Sequence, residues 1–348
     1  MISPFSLKVS PMRRLFLIGF EKDPDDIYVG FEPQWFDDSE YGTGLRVIAW
    51  RKDGYVDVYQ QPGLTVEERI DVAGKGLRET KVCQMPDARF DVTPHGVDAY
   101  FRFEDLEGRT IEVKVREKNP KKRRPFPLLA PVGSASENPS CLPVYFLFGF
   151  DFVRKSKTEV LIRIGDKSHK PDTFPFPMNG SSVYYMRYGE DAFLVDWCPA
   201  QNGELEPISD EEMPSHFDVV ETENGQALKR ISAVRGGHTF VAHFEPPFPD
   251  LASKQSQNGV FTLSSDASVG EVSGKYTSTA TSDGAVVTLE PTEGWLPRPE
   301  TFFLKFLFRT AKIFSHWPKT YRWTAKVSLT DEGKAHIESG WERIKNGR

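Results

Sequence analysis

Cysteine is scarce in this chain. Cys83, Cys141 and Cys198 are the only three in 348 residues, they lie far apart, and no C-x-x-C occurs. The pattern argues against a disulfide framework and a zinc site, and it makes a reducing cytoplasm the expected compartment. Long apolar runs are also missing. The longest, Cys141 to Val153, is broken by Pro143, Gly149 and Asp151, so it cannot span a bilayer as a helix. Leu15–Ile18, after two arginines, is too short for the core of a signal peptide. Positive charge is not in excess: 44 Lys and Arg stand against 50 Asp and Glu, a net charge of −6. No global basic field favours nucleic acid, and no nucleic-acid partner is expected. Catalytic signatures are absent as well. There is no G-x-G-x-x-G, P-loop or G-x-S-x-G, and Gly133-Ser134-Ala135-Ser136 lacks the second glycine of a nucleophile elbow. Neither a cofactor nor a metal is expected.

What the chain has is turn chemistry between strand-patterned runs. Asp53-Gly54 separates Leu45–Trp50 from Tyr55–Gln60, and Glu107-Gly108 separates Val97–Phe103 from Thr110–Arg116. Asn224-Gly225 separates Phe217–Glu221 from Ala227–Ile231, and Asp283-Gly284 separates Tyr276–Thr281 from Ala285–Leu289. Gly and Asn accept the positive φ of tight hairpins, so each pair predicts a β-hairpin. Alternation supports the strands. Val97, Ala99, Phe101 and Phe103 share one face, as do Ile111, Val113 and Val115, and Val160, Ile162 and Ile164. Further strands are expected at Val144–Phe152, Val183–Tyr188, Ala192–Trp197, Thr239–Phe244 and Tyr321–Leu329. The 13% aromatic content, led by 26 Phe, suits wide β cores.

These runs predict an all-β protein of two consecutive antiparallel barrel or sandwich units. The proline-rich stretch Gly165–Gly180 places the boundary near residue 170, giving units at 1–170 and 171–348. One amphipathic helix is expected at the C-terminus, Asp331 to Lys345. Ile337, Trp341 and Ile344 form its apolar stripe and would dock on a sheet. Thr301–Phe314 reads two ways. A strand would bury Phe302, Leu304, Phe306 and Phe308, whereas a helix would gather Lys305, Arg309 and Lys312 and resemble an interfacial membrane segment. The prolines at 297 and 299 and the Phe content favour the strand.

Candidate chemistry is sparse. His243 and Glu245, two apart on a strand, project from one face and could form a general-base pair or two metal ligands, but no third ligand has the right spacing. His169 and Asp172 open the proline-stiffened loop, where they could stand at a pocket mouth beside Tyr184, Tyr185, Arg187 and Trp197. Asp151 and Asp196 are carboxylates inside apolar runs; facing inward, they would need partners or would stay protonated. Lys121, Lys122, Arg123 and Arg124 cap a basic stretch that could touch an anionic surface transiently.

Pro131-Val132-Gly133 before a strand, the turn Asp172–Gly180, Gly294-Trp295-Leu296-Pro297 and the terminal Trp341 segment together give a chain that resembles the two-domain lipocalin-like (calycin) proteins, a group that includes carotenoid hydratase-like enzymes. The Gly-x-Trp signature of lipocalins is missing from the N-terminal strand. The resemblance implies barrels enclosing a small apolar ligand. Three functions stay open: binding of a small hydrophobic molecule in a β-barrel cavity, acid–base chemistry of hydratase or isomerase type on an apolar substrate, and a sugar-active sandwich of mutarotase type.

Overall fold

The computed structural model describes residues 1–66, 76–131, 141–178, 180–209, 216–265, 269–299, 302–310, 317–330 and 334–344. Strands make up 64% of these and helices 4%, so the protein is all-β. Along the chain the strands are β1 (Leu7–Gly19), β2 (Tyr28–Asp38), β3 (Gly42–Arg51), β4 (Val56–Gln60), β5 (Leu77–Val82), β6 (Arg89–Thr93), β7 (Gly96–Glu104) and β8 (Thr110–Glu117). There follow β9 (Phe126–Pro131), β10 (Leu142–Arg154), β11 (Thr158–Ile164), β12 (Lys167–Ser168), β13 (Val183–Trp197), β14 (Asn202–Leu205) and β15 (Phe217–Thr222). The rest are β16 (Gly225–Arg235), β17 (His238–Pro249), β18 (Gln257–Ser265), β19 (Glu271–Ala280), β20 (Gly284–Leu296), β21 (Tyr321–Leu329) and β22 (Ala335–Arg343), with a single α-helix, α1 (Phe302–Thr310), among the described residues.

Three sheets result. One has eight strands in the order β5-β4-β3-β2-β1-β13-β10-β9, one has five, β12-β11-β8-β7-β6, and one has nine, β14-β22-β21-β20-β19-β18-β17-β16-β15. All four turn dipeptides lie in hairpins, joining β3 to β4, β7 to β8, β15 to β16 and β19 to β20. Gly108 has φ of 75°, which a Cβ would strain. At Gly284 a Cβ would run into the Val327 carbonyl, so the close pairing with β21 requires glycine. Strand pairing departs from the antiparallel expectation at β5, which runs parallel to β4 after the long connection through residues 61–76.

The chain forms two compact units. The first comprises Met1–Ser10, Leu129–Phe146 and Leu194–Arg348, and the second comprises Pro11–Leu128 and Leu147–Phe193. The boundary expected near residue 170 falls within the second unit. There the proline-rich stretch is hydrogen-bonded into its neighbours: Asp172 N–H donates to the Gly19 carbonyl and Tyr185 N–H to the Asp172 carbonyl. In the second unit, side chains of β1 to β4 and β13 meet those of β6, β7, β8 and β11. Phe16, Ile18, Phe31, Phe90, Phe101, Val113 and Met186 belong to this one buried cluster between the sheets. The first unit holds a cluster of packed rings around Phe5. Phe5 lies 5.8 Å from Trp197, 4.7 Å from Phe244, 4.6 Å from Phe248 and 5.7 Å from Trp323.

Two expected elements are exchanged. The C-terminal helix is instead strand β22, with Ile337 opposite Val327 and Trp341 opposite Trp323. A spacing of four is one helical turn, but it is also a multiple of the strand period of two, and Ala335, Ile337 and Trp341 are all buried on one face. Trp341 Nε1 donates to the Cys198 carbonyl at 2.9 Å, fixing the strand from its side chain. Conversely, the Phe-rich run preferred as a strand is helix α1. It buries Leu304 and leaves Phe302 exposed, a pattern that period two, which puts both on one face, cannot give.

Candidate functional site

The residues singled out in the sequence separate into different environments. His243 and Glu245 share a face of β17, opposite Thr262 and Val260 of β18; Glu245 is exposed and His243 half-buried. Among the described residues no group of three His, Cys, Asp or Glu could hold a metal ion. Asp196 is half-buried and accepts from the Cys141 thiol at 3.3 Å. Its neighbour Trp197 is fully buried in the first unit's aromatic core.

His169 and Asp172 are both buried and hold backbone in place. His169 Nδ1 lies 2.9 Å from the Asp23 carbonyl, and its Nε2 lies 4.0 Å from Asp25. Asp172 accepts from the N–H groups of Glu21 at 2.8 Å and Lys22 at 3.1 Å, which pins the β1–β2 turn. An ionic cluster gathers at the same end of the unit. Arg109 pairs with Asp25 at 3.1 Å and Asp105 at 2.9 Å, and Arg51 pairs with Asp53 and Asp57, each at 2.8 Å. The Tyr28 and Tyr59 hydroxyls, 2.7 Å apart, link the two halves. The Leu106 N–H donates to Tyr59, so three turns are tied together. This network has the geometry of a structural latch.

Asp151 is held in another cluster. It accepts from the N–H of Phe152 at 2.8 Å, and burial pushes its pKa up against the opposing hydrogen bonds and the charges of Arg123 and Arg154. Arg123 is not part of an exposed basic loop. Its side chain is buried, pairs with Glu190 at 2.9 Å and donates to the Gly149 carbonyl. Lys121, Lys122 and Arg124 remain exposed.

One set of residues converges on an accessible face. On β13, Tyr184 packs against the second unit's core, whereas Tyr185 lies on the opposite face and is 41% exposed. Tyr185 lies across Gly19 of β1, where a Cβ would stand 3.7 Å from its ring and 3.5 Å from the Asp172 carboxylate. The Arg187 guanidinium sits 4.6 Å over the Tyr185 ring. Among the described residues Arg187 makes no ion pair. Phe174 lies 5.2 Å from Tyr185, and from it a run of rings extends through Phe152 at 5.3 Å and on to Phe150 at 5.4 Å. Phe176, 5.5 Å from Phe174, is 46% exposed. The proline-stiffened loop thus brings Phe174 onto Tyr185, with Phe176 beside Phe174.

On the same face of β2 lies Glu32, which is buried. Gln34 Nε2 donates to it at 2.9 Å and the Trp50 indole also donates to it. Burial pushes its pKa up to about 7, against those two hydrogen bonds and the positive charge of Arg187. A carboxyl poised there can give or take a proton at neutral pH. Sequence reasoning missed Glu32. Its alternation with Phe31 and Pro33 reads as polar-out, yet the side chain is 3% exposed, held by Gln34 and Trp50.

Comparisons with protein-family models, with curated proteins and with solved structures find no match for this chain.

Proposed function

We propose that the protein binds a small hydrophobic ligand with one polar or anionic end on the outer face of the eight-stranded sheet, in the second unit. Tyr185, Phe174 and Phe176 provide the apolar surface, and Arg187 with Glu32 orients the polar end. The observation that carries this reading is the pairing of half-exposed rings with an arginine that has no ion-pair partner among the described residues. Exposure favours this face, since Tyr185 and Phe176 are 41% and 46% exposed. The resemblance to two-domain lipocalin-like proteins points to the same class of ligand. A probe of matching chemistry is anilinonaphthalene sulfonate, titrated by fluorescence. We expect saturable one-to-one binding that weakens about 2- to 12-fold in Tyr185→Ala, the range for loss of one aromatic contact. Arg187→Gln should weaken it further, and Val234→Ser, an exposed apolar position of the first unit, should leave it unchanged. Absence of saturation, or equal affinity in all variants, overturns the proposal.

The Glu32 pKa near neutrality favours a second reading: an enzyme of hydratase or isomerase type using this carboxyl for proton transfer. Glu32→Gln would then abolish turnover of an apolar substrate while retaining its binding. If activity survives in that variant, Glu32 is not the proton-transfer group.

A further inference from the structure

From Thr301 to Thr330 the sequence contains no Asp or Glu, while Lys305, Arg309, Lys312, Lys319, Arg322 and Lys326 fall within it. This is a basic island in a chain of net charge −6. Helix α1 opens it. The inner side of α1 is anchored in the first unit, where Leu304 is 2% exposed and the Phe308 ring meets Trp295 edge-on at 4.7 Å. The outer side carries Phe302, 86% exposed, and Phe306, 50% exposed. Lys305 and Arg309 are exposed beside them. Each pair is four residues apart, so the two rings form one row and the two cations an adjacent one. Among the described residues neither Lys305 nor Arg309 makes an ion pair.

We propose that this face of α1 docks the protein on an anionic lipid bilayer. The chemistry matches on both rows. The rings enter the boundary between headgroups and acyl chains, and the cations meet lipid phosphates and carboxylates. A protein partner fits less well. A nine-residue helix is only about 14 Å long, which is short for a stable protein interface of about 1,000 Å² or more. A bilayer needs no shaped complement. Around α1 the chain itself adds no acidic residue from 301 to 320, whereas further on Arg322 is already paired with Glu290, so the docking charge rests on Lys305 and Arg309.

Vesicle co-sedimentation of the whole protein tests the proposal. Vesicles contain phosphatidylcholine with about 30% phosphatidylserine, or phosphatidylcholine alone. We expect binding to the anionic vesicles, at least about 30-fold weaker binding to the neutral ones, and release at about 1 M salt. Lys305→Gln with Arg309→Gln should weaken anionic binding about 30-fold. Phe302→Ser with Phe306→Ser should weaken it at least about 10-fold. All four side chains are exposed, so an unchanged melting temperature separates lost docking from lost fold. Lys121→Gln with Lys122→Gln serves as the control for the other basic loop and should bind as wild type. The proposal is overturned by no anionic binding, by equal binding to neutral vesicles, or by helix variants that bind normally. It also falls if only the Lys121 and Lys122 variant releases the protein, or if the phenylalanine variant abolishes self-association in a protein that ignores vesicles.

Discussion

Replacing Glu32 by Gln isolates the energetics of the candidate site. In the folded protein, burial raises the Glu32 pKa from 4.5 to about 7. The unfolded chain holds it near 4.5, so between these values the native state binds more protons than the unfolded state. Stability from this group is fully present below pH 4.5 and is lost as pH rises through 7. Moving the pKa from 4.5 to about 7 makes the full loss about 3.4 kcal/mol, of which about 3 kcal/mol falls between pH 4.5 and 8.5. Gln keeps the shape and an acceptor oxygen for Gln34 and Trp50 but carries no titratable proton. Urea unfolding of both proteins from pH 4.5 to 8.5 gives the difference in unfolding free energy, in which other titrating groups cancel. Relative to Glu32→Gln, wild type should lose about 3 kcal/mol across that range, most of it before pH 7. A difference constant with pH would show that Glu32 is ionised and solvated in the folded protein, and both readings of the site would lose their poised carboxyl.

The other predictions concern the fold. Asp105→Ala should destabilise by about 3 kcal/mol in urea, because it leaves two backbone N–H groups without an acceptor and Arg109 with Asp25 as its one remaining carboxylate. A loss under about 1 kcal/mol would mean that the latch is solvated. Trp341→Ala should cost about 3–5 kcal/mol, since it opens a buried site and removes the bond to Cys198. An unchanged melt would place β22 outside the core. Far-UV circular dichroism should show helix far below a third, and a third or more would contradict an all-β chain.

The strands were legible because their apolar residues alternate and their turns are chemically marked. Val97–Phe103 and Thr110–Arg116 needed nothing beyond period two and Glu107-Gly108. The pattern failed where two periods coincide. Ile337 and Trp341 satisfy both helix and strand, and only Trp323 across the sheet decides between them. Phe302 to Phe308 alternates like a strand, yet Leu304 is buried while Phe302 and Phe306 stay exposed. Val183–Tyr188 and Ala192–Trp197 are one long strand, β13. The site was half visible. Tyr185, Arg187 and the proline loop could be named because they are neighbours in sequence. Glu32 could not, since Trp50 and Arg187, which act on it, come from other strands, β3 and β13. Arg123 reads as part of an exposed basic run because Glu190, its partner, lies far along the chain.

The order of the nine-stranded sheet carries a kinetic consequence. From β15 to β22 every strand pairs with its neighbour in sequence, so each step closes only a short loop. The pairing of β14 with β22 is different, since it joins Asn202 to Glu338, and the adjoining Gln201–Ser339 bond spans 138 residues. Such a closure becomes affordable only after the intervening hairpins have shortened the effective loop. We therefore expect the hairpins to zip first and β14 to arrive last. Until then one edge of β22 stands open, a short-lived template for pairing with another chain. Pulse-labelling hydrogen exchange during refolding should protect Gln257–Leu289 before Asn202–Leu205, and the reverse order would refute this route.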